Sequence, residues 1–435
     1  MAVSTSTALL TDHYELTMLQ AALKSGAAHR HSYFEVFTRR LAAGRRYGVL
    51  AGTGRFLEGL KNFRFGTEEL DFLANTHVVN DQTLNYLRDF KFSGNIFGYA
   101  EGEVFFPHSP ILQVESTFAE ACVLETFILS ILNYDSAVAS AASRMTVTAG
   151  TRPCLEMGSR RAHEEAAVAA ARAAIICGFA GTSNLEAGRR YGLNTIGTSA
   201  HAFTLLHDNE RDAFQAQLDS LGVDTTLLVD TYDVEKAVRL AVELAGSELG
   251  GVRLDSGDLV AQAIWVRQLL DELGNKNTKI TVTSDLDEYA IASLAAAPVD
   301  SYGVGTKLVT GSGAPTSSMV YKVVARENSR GEMEPVAKAS SGKESYGGRK
   351  FAVRQINKAG RATAELIGVN AQAPADSNDR NLIVDFVRDG DVLPGFTGAE
   401  GVRNAAERHA RSVAELPRAA TRLSEGDPVI PSQFI

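Results

Sequence analysis

Between residues 153 and 306 the chain repeats one short pattern, and this pattern restricts the possible folds more than any other feature. A short apolar segment ends in polar residues or glycine and is followed by a helix-like stretch. Seven such segments occur, namely PCLEMG, GFAGTS, NTIGTS, TLLVDTYD, GGVRLDSGD, ITVTSD and SYGVGT. Strands that alternate with helices in this way predict a parallel sheet, and functional residues at the strand ends are typical of a β/α barrel.

A doubly wound parallel sheet would produce a similar alternation, so the pattern alone leaves two folds open. A doubly wound dinucleotide-binding fold commonly opens with a GxGxxG turn, and no such opening is present here. The unusual polar residues fall instead at the ends of the apolar segments. We therefore predict an α/β protein in which residues 146–324 form a β/α barrel-like domain that carries the active site.

The segments on either side of this region mix helical and strand patterns. TDHYELTMLQAALKSG predicts a helix that begins at Thr11 or Asp12 and ends before Gly26, and HSYFEVFTRR alternates like a strand. A long apolar helix is expected from Thr117, which stands at capping-box spacing from Glu120. Strand-like patterns return after the barrel region, and a basic helical segment, NAAERHARSVAEL, follows them.

A length of 435 residues exceeds one ordinary core and suggests two domains. We expect residues 1–145 to form an N-terminal α/β domain with a connecting helix. We expect the C-terminal segment, residues 325–435, to pack with that domain. The two chain ends would then build one mixed α/β domain beside the barrel.

Composition restricts the classes of function. The hydrophobic content of 45% and the charged content of 22% are typical of a soluble globular protein. A formal net charge of -9 argues against a general nucleic-acid binder, so positive charge for an anionic ligand must be local. Cys122, Cys154 and Cys177 lack metal-ligand spacing, and we expect reduced, buried thiols. No signal peptide or membrane-spanning run is visible, so we expect a cytoplasmic protein.

Arginines and carboxylates cluster at two of the predicted strand ends. EMGSRRAHEE carries Arg160 and Arg161 at a helix start, where arginine opposes the helix dipole unless a bound anion offsets it. In GVRLDSGDL, Arg253 precedes Asp255 and Asp258. Asp258 could simply cap the next helix. Alternatively, the arginine grips a phosphate while the two carboxylates bind sugar hydroxyls or Mg²⁺.

Three further strand ends carry candidate functional residues. In GTSAH, His201 is either a hydrogen-bonded structural residue or a nucleophile or general base. In SYGVGTK, Gly303 and Gly305 precede Thr306, and glycines there let backbone N–H groups approach a phosphate. TSD places Asp285 at another tip, and VDTYD adds further acids. By themselves these residues indicate a barrel enzyme that acts on a phosphorylated, anionic substrate.

The motifs taken in order resemble those of the nicotinate phosphoribosyltransferase family. They are TDHYELTM, EMGSRRAHE, GFAGTSN, GTSAH, LVDTYD, GVRLDSGD, TSD and YGVGTK, and the resemblance covers roughly residues 8–355. It implies a barrel domain of the second phosphoribosyltransferase type with a mixed α/β domain, working as a homodimer whose active sites are shared. It also implies that nicotinate and 5-phosphoribosyl 1-diphosphate give nicotinate mononucleotide and diphosphate, on the route to NAD.

The resemblance implies roles for individual residues. ATP, a co-substrate, would be hydrolysed through a phosphorylated histidine that maps to His201, and Mg²⁺ would accompany the diphosphate near Asp255 and, by its position, Asp258. Tyr14 matches an aromatic residue that stacks on the pyridine ring across the dimer. The catalytic candidates are His201, Arg253 and Asp255, and Arg253 matches an anion-binding arginine of the family. The remaining substrate-binding candidates are Met157, Arg160, Arg161, Ser183, Asp285, Gly303, Gly305 and Thr306.

Selectivity between pyridines is expected to depend on Ser183. The related nicotinamide enzyme has an aspartate at this position, which accepts hydrogen bonds from a carboxamide and repels a carboxylate. A serine hydroxyl can donate to nicotinate. Met157 stands where the nicotinamide enzyme has a stacking phenylalanine, and a thioether can still contact an aromatic face.

Two rival interpretations predict different behaviour. A phosphoribosyltransferase for nicotinamide or quinolinate would share the barrel, and the quinolinate enzyme would be indifferent to ATP. A non-catalytic barrel that binds a sugar phosphate to regulate a partner would bind phosphate without turnover and would not need His201.

Overall fold

The structure is a computed structural model that describes residues 6–338, 345–372 and 374–435. Its helices are α1 (His13–Ser25), α2 (Thr53–Leu60), α3 (Thr67–Asn75), α4 (Asp81–Arg88), α5 (Phe118–Cys122), α6 (Glu125–Ala149), α7 (Glu164–Ile176), α8 (Leu185–Tyr191), α9 (His201–Leu206), α10 (Glu210–Leu221), α11 (Val234–Ala245), α12 (Leu259–Glu272), α13 (Glu288–Ser293), α14 (Thr306–Val309) and α15 (Gly398–Ala414).

The strands of the described residues alternate with these helices. They are β1 (His31–Thr38), β2 (Gly48–Val49), β3 (Asn95–Tyr99), β4 (Val104–Phe105), β5 (Leu112–Thr117), β6 (Cys154–Glu156), β7 (Gly181–Thr182), β8 (Thr226–Leu228), β9 (Gly251–Leu254), β10 (Lys279–Val282), β11 (Ser301–Val304), β12 (Met319–Glu327), β13 (Met333–Pro335), β14 (Lys350–Ile356), β15 (Ala362–Val369), β16 (Arg380–Asn381), β17 (Ile383–Arg388), β18 (Asp391–Val392) and β19 (Ser432–Phe434).

The chain divides into two compact units. The terminal unit comprises Met1–Ser140 and Ala314–Ile435, and the central unit comprises Ala141–Gly313, so the division falls within α6. In the terminal unit, an antiparallel sheet has the order β13-β12-β1-β5-β3-β17-β18, and a second sheet has the order β16-β14-β15-β19. The terminal unit is therefore built from both chain ends, as the predicted fold class requires.

Several local predictions for the terminal unit are confirmed. Helix α1 starts after Asp12 and ends at Ser25, and the next residue, Gly26, has a φ of 79°, a left-handed conformation that glycine adopts without strain. The side chain of Thr117 accepts a hydrogen bond from the backbone N–H of Glu120, as its spacing predicted.

The prediction of one uninterrupted helix from Thr117 is wrong. Helix α5 ends at Cys122 and α6 begins at Glu125, so the stretch forms two helices. The reciprocal half of the capping box is replaced as well. The Glu120 carboxylate accepts hydrogen bonds from the backbone N–H of Ser93 and the hydroxyl of Ser116, at 2.8 and 2.7 Å. The Glu120 carboxylate, which the sequence predicted to bond to the helix start, therefore binds Ser93 and Ser116 instead.

The central unit contains an open, barrel-like sheet. Its order is β7-β6-β11-β10-β9-β8, and every neighbouring pair is parallel. The predicted fold class, a β/α barrel-like domain with a mixed α/β domain, is confirmed. Of the seven predicted strands, NTIGTS forms only an isolated parallel bridge between Thr195 and Thr182. Its partner β7 has two residues, which offer few backbone groups for pairing, so the sheet stays open at this edge.

Two other expectations can be compared with the described residues. Cys122, Cys154 and Cys177 are all buried and free. Among the helices of the described ranges, none has the length and apolar character needed to cross a membrane.

A buried ion pair connects the two large sheets of the terminal unit. The Nζ of Lys350, on β14, donates to the carboxylate of Glu35, on β1, and the two side chains are 1% and 3% exposed. The backbone of Lys350 also bonds to the side chain of Gln113, on β5. A charge buried this deeply stabilises the fold only while its partner is present.

Replacing Lys350 by methionine should lower the free energy of unfolding by about 3–5 kcal/mol, because the Glu35 carboxylate would remain buried without a partner. Urea unfolding followed by circular dichroism measures this loss. The double variant Glu35→Met/Lys350→Met removes both charges and should recover most of it. A single variant within 1 kcal/mol of the wild type would contradict the assignment.

Candidate active site

A cavity of about 1020 Å³ lies in the central unit. It is lined mainly by residues at the carboxyl ends of the parallel strands, together with the segment that forms the bridge to β7 and residues before β8. The lining residues are Leu155, Met157, Ser159, Arg160, Arg161, Ser183, Thr195, Ile196, Gly197, Thr198, Ser199, Ala200, Leu221, Asp224, Thr225, Thr226, Arg253, Asp255, Thr281, Thr283, Ser284, Asp285, Gly303, Gly305 and Thr306.

The sequence-based site residues divide into two groups. Those that line the cavity are Met157, Arg160, Arg161, Ser183, Arg253, Asp255, Asp285, Gly303, Gly305 and Thr306. His201, Asp258 and Tyr14 are not among the lining residues. Adjacent parallel strands bring the first group together although nearly 150 positions separate its ends along the chain.

Arg253 is held in place by the neighbouring segment. Its Nη1 donates to the hydroxyl of Thr198 at 3.2 Å, and its Nη2 donates to the carbonyl of Ser199 at 2.9 Å. Burial lowers the pKa of the Arg253 guanidinium, while Asp255 and Asp230 act in the opposite direction. The Nε atom of Arg253 is buried and has no hydrogen-bond partner among the described residues. A fixed guanidinium with an unused N–H is suited to binding an anion.

His201 lies beside the cavity and faces two carboxylates. Its Nε2 is 3.7 Å from Oδ2 of Asp255 and 4.0 Å from Oδ1 of Asp230. Its Nδ1 is 3.1 Å from the hydroxyl of Thr231. The imidazole is 41% exposed, so solvent or a ligand can reach it. His201 therefore contacts the cavity through Asp255.

Asp230 was not selected from the sequence, although its motif VDTYD was noted. Its side chain is 2% exposed, and its Oδ2 accepts hydrogen bonds from the backbone N–H of Asp255 and the hydroxyl of Ser256, at 2.8 and 2.7 Å. Asp255 also accepts a hydrogen bond from the hydroxyl of Thr283. Asp230 thus fixes the turn that presents Asp255. Its position at a strand end was the available signal.

The two glycines of GVGT meet different surroundings. A Cβ on Gly303 would lie 2.4 Å from Cγ2 of Thr283 and 2.8 Å from Sδ of Met157. A Cβ on Gly305 would come no closer than 3.3 Å to the Met157 carbonyl oxygen. The absence of a side chain at Gly303 therefore makes room for two other side chains. The approach of a phosphate to these glycines stays a prediction, and at Gly303 the packing of Met157 and Thr283 is a second reason for the absence of a side chain.

Two candidate residues have local roles away from the cavity lining. The carboxylate of Asp258 accepts a hydrogen bond from the backbone N–H of Ala261 at 3.1 Å and so caps α12. This is the helix-cap alternative that the sequence left open. Tyr14 lies on α1 of the terminal unit and is 45% exposed. Burial, followed by nearby carboxylates including Glu125, raises the pKa of Tyr14 to about 12.

Comparison with known proteins shows to which family the chain belongs. The nicotinate phosphoribosyltransferase N-terminal domain matches residues 9–133, and the nicotinate phosphoribosyltransferase family matches residues 153–359. Nicotinate phosphoribosyltransferase pncB1 of Mycobacterium tuberculosis (strain ATCC 25618 / H37Rv) is 52% identical over 436 residues, which cover 98% of this chain and 95% of that protein. The chain belongs to the nicotinate phosphoribosyltransferase family.

Other members of the family agree with this placement. The nicotinate phosphoribosyltransferase of Bacillus subtilis (strain 168) is 39% identical over 81% of this chain and 74% of its own. The crystal structure of human nicotinic acid phosphoribosyltransferase superposes with a TM-score of 0.81 at 25% identity, over 98% of this chain and 97% of that chain. The nicotinate-nucleotide pyrophosphorylase from Pyrococcus furiosus, 24% identical with a TM-score of 0.77 over 94% and 97% of the two chains, shares the fold.

The packing of Gly303 in this family member can be tested directly. Gly303→Ala should lower the free energy of unfolding by about 1–3 kcal/mol, because its methyl group would displace Met157 and Thr283. Gly197→Ala is the matched control, since Gly197 also lines the cavity and its Cβ would meet no heavy atom within 4 Å. Urea unfolding of both variants gives the comparison. Equal stabilities would show that Met157 and Thr283 do not pack as described.

Proposed function

We propose that this chain is a nicotinate phosphoribosyltransferase that acts in NAD biosynthesis. The ring nitrogen of nicotinate forms a bond to C1 of 5-phosphoribosyl 1-diphosphate, the bond from C1 to the diphosphate oxygen breaks, and diphosphate leaves. The observation that carries the proposal is the cavity at the strand ends. It gathers arginines and carboxylates in a chain whose net charge is -9, and the chain belongs to this family.

The anionic parts of the two substrates can be assigned to the arginines and the last strand. We assign Arg160, Arg161 and Arg253 to the diphosphate and carboxylate groups, because guanidinium groups bind both in bidentate fashion. We assign the 5′-phosphate to Gly305 and Thr306, where backbone N–H groups at the start of α14 are close to the cavity, with Gly303 beside them.

The carboxylates serve the sugar. As diphosphate departs, positive charge develops on the ribose ring, and a fixed negative charge nearby stabilises the transition state. Asp255 is the best-placed candidate because Thr283 and the Asp230-supported turn orient it. Asp285 lines the same cavity and is assigned to the ribose hydroxyls.

The residues present fit a magnesium ion that arrives with the diphosphate. No group of three or more His, Cys, Asp or Glu side chains able to hold a metal occurs among the residues that the structure describes. Mg²⁺ commonly uses one or two carboxylates and completes its shell with substrate phosphates and water. Asp255 can supply such a carboxylate, whereas Asp258 is engaged at the start of α12. When bound, the ion would neutralise charge on the departing diphosphate.

ATP coupling is assigned to His201. Transfer of the γ-phosphoryl group from ATP to the imidazole would release ADP, and later hydrolysis would release phosphate. Because Nε2 faces Asp255 and Asp230, adding a phosphate to the ring would change the electrostatic environment of Asp255. His201 would thereby bias the cavity without attacking the sugar itself.

The pyridine ring is assigned to the region of Met157 and Ser183, which both line the cavity. The Met157 thioether can pack on the ring face, and the Ser183 hydroxyl can donate to the carboxylate. Tyr14 is 45% exposed on α1, which is compatible with stacking on the ring bound by a second subunit. We therefore propose a homodimer with shared active sites, and we further propose that it acts in the cytoplasm.

The activity is tested by offering nicotinate, nicotinamide and quinolinate separately to the purified protein, with 5-phosphoribosyl 1-diphosphate and Mg²⁺. Of the three pyridines, only nicotinate should give a mononucleotide, and the rate of its formation should rise when ATP is added. Turnover of quinolinate that is insensitive to ATP would favour the quinolinate enzyme. Phosphate binding without turnover of any pyridine would favour the regulatory barrel.

Ser183→Asp should lower kcat/KM for nicotinate by about 100-fold, since placing a carboxylate against a carboxylate costs several kcal/mol. The rate with nicotinamide should rise relative to that with nicotinate. Ser183→Ala is the control, because it removes the donor without adding charge and should cost less. Steady-state rates with both pyridines measure the change, and an unchanged preference in the aspartate variant would remove Ser183 from the pyridine site.

His201→Ala should keep ATP-independent synthesis and lose its stimulation by ATP. The rates of mononucleotide and ADP formation, with and without ATP, measure both effects. His29→Ala removes an exposed histidine of the terminal unit and should retain full stimulation. If the His201 variant is still stimulated by ATP, the phosphohistidine assignment is wrong.

A further inference from the structure

A buried carboxylate at the end of β6 has no part in the roles assigned above. The side chain of Glu156 is 0% exposed. It accepts hydrogen bonds from the backbone N–H of Gly158 and from the hydroxyl of Thr182. Burial raises the pKa of Glu156, and both hydrogen bonds act against that rise. Glu156 forms no ion pair with any residue that the structure describes, so these two hydrogen bonds are what offsets the cost of burying its carboxyl group.

These hydrogen bonds continue into the next turn of the chain. The hydroxyl of Thr182, which donates to Glu156, accepts a hydrogen bond from the backbone N–H of Asn184 at 3.0 Å. The side-chain oxygen of Asn184 accepts from the backbone N–H of Ala187 at 2.8 Å and caps α8. The orientation of the Asn184 amide is thereby fixed, because its oxygen is already engaged by a donor.

A fixed Asn184 amide determines how Ser159 can bond. The Asn184 Nδ2 lies 3.0 Å from Oγ of Ser159, and as an NH₂ group it can only donate. The Ser159 oxygen is therefore an acceptor toward Asn184, and its own proton is available to another group. Ser159 lines the cavity next to Arg160, and within the part of the chain that the structure describes its hydroxyl proton has no hydrogen-bond acceptor.

We propose that the Ser159 hydroxyl donates to the carboxylate of nicotinate and that Glu156 is the positioning residue that aims it. The hydrogen-bonded chain runs from Glu156 through Thr182 and Asn184 to Ser159. The inference rests on the proposed function, since it names a contact for the substrate of that function. It adds a second hydroxyl donor to the one assigned to Ser183.

The chemistry distinguishes the two pyridines. A carboxylate offers only acceptors, so an available hydroxyl proton beside an arginine matches it. A carboxamide is uncharged and offers a single acceptor oxygen, so it gains less than a carboxylate from the same hydroxyl proton and the neighbouring arginine. Ser159 should therefore contribute to the preference for nicotinate over nicotinamide.

The first test measures nicotinate binding by equilibrium dialysis and KM for both substrates in Ser159→Ala. Loss of a hydrogen bond to a charged group should weaken nicotinate binding by about tenfold. The KM for 5-phosphoribosyl 1-diphosphate should change by less than about threefold, which is the size of effect expected from an unrelated surface substitution. Ser293→Ala, which removes a hydroxyl bonded within α13, is the control and should behave like the wild type.

The second test asks whether Glu156 acts through Ser159. Glu156→Ala should weaken nicotinate binding to a similar extent. The double variant Glu156→Ala/Ser159→Ala should lose no more affinity for nicotinate than the single variant with the larger loss. Glu156→Gln should restore most of the affinity, because its oxygen can accept from Gly158 and its NH₂ can donate to Thr182. Glu288→Ala removes another buried carboxylate, which pairs with Arg144 and does not line the cavity; because it should cost at least as much stability, it controls for that loss.

Three outcomes would overturn the proposal. Ser159→Ala could bind nicotinate as tightly as the wild type, which would show that the hydrogen bond between Asn184 and Ser159 only joins two turns of the chain and that Ser159 does not contact nicotinate. The effects of Glu156→Ala and Ser159→Ala could multiply, which would make Glu156 a structural residue. A wild-type protein that neither binds nor converts nicotinate would refute the proposed function itself. Because Ser159→Ala leaves the buried chain intact, the first test holds even if Glu156→Ala fails to fold.

Discussion

The central unit depends on one geometric constraint, namely that six parallel strands end at the same edge of one sheet. Residues that follow β6, β7, β9, β10 and β11 therefore meet around a single cavity. No individual motif could build this site, since each provides only two or three polar side chains. The order of the strands in the sheet makes neighbours of EMGSRR and YGVGT through the pairing of β6 with β11.

Because the strands are short and their ends are crowded, much of the polar chemistry around the cavity is internal. Arg253 is held by Thr198 and Ser199, Asp255 by Asp230 and Thr283, and Ser159 by Asn184. Such contacts orient the groups that would face substrates before any substrate binds, which reduces the cost of ordering them during the reaction. The buried carboxylates Asp230 and Glu156 have this supporting position at two different strand ends.

The sequence predicted the elements whose signals are local. Alternating apolar segments and their polar ends were enough to place the strands, and Thr117 and Gly26 marked helix ends by their own chemistry. It failed where tertiary contacts decide. NTIGTS has the composition of a strand but pairs through a single bridge, because β7 offers it only two residues. Glu120 is drawn away from the helix start by Ser93 and Ser116.

In the candidate site, too, the sequence predicted the residues with local signals and missed those whose role depends on tertiary contacts. The motifs indicated the tips that carry Arg160, Arg253 and Asp255, and the family resemblance assigned roles to them. Asp230 was noted only as one of the acids of VDTYD, without a role, and Glu156 was not selected at all, because a carboxylate that supports a neighbour has no characteristic spacing. The central claim is that both substrates bind in this one cavity, and a crystal structure of the protein with nicotinate mononucleotide tests it most directly. The pyridine ring is expected beside Met157 and the phosphate at Thr306, whereas a nucleotide bound outside this cavity would contradict the account.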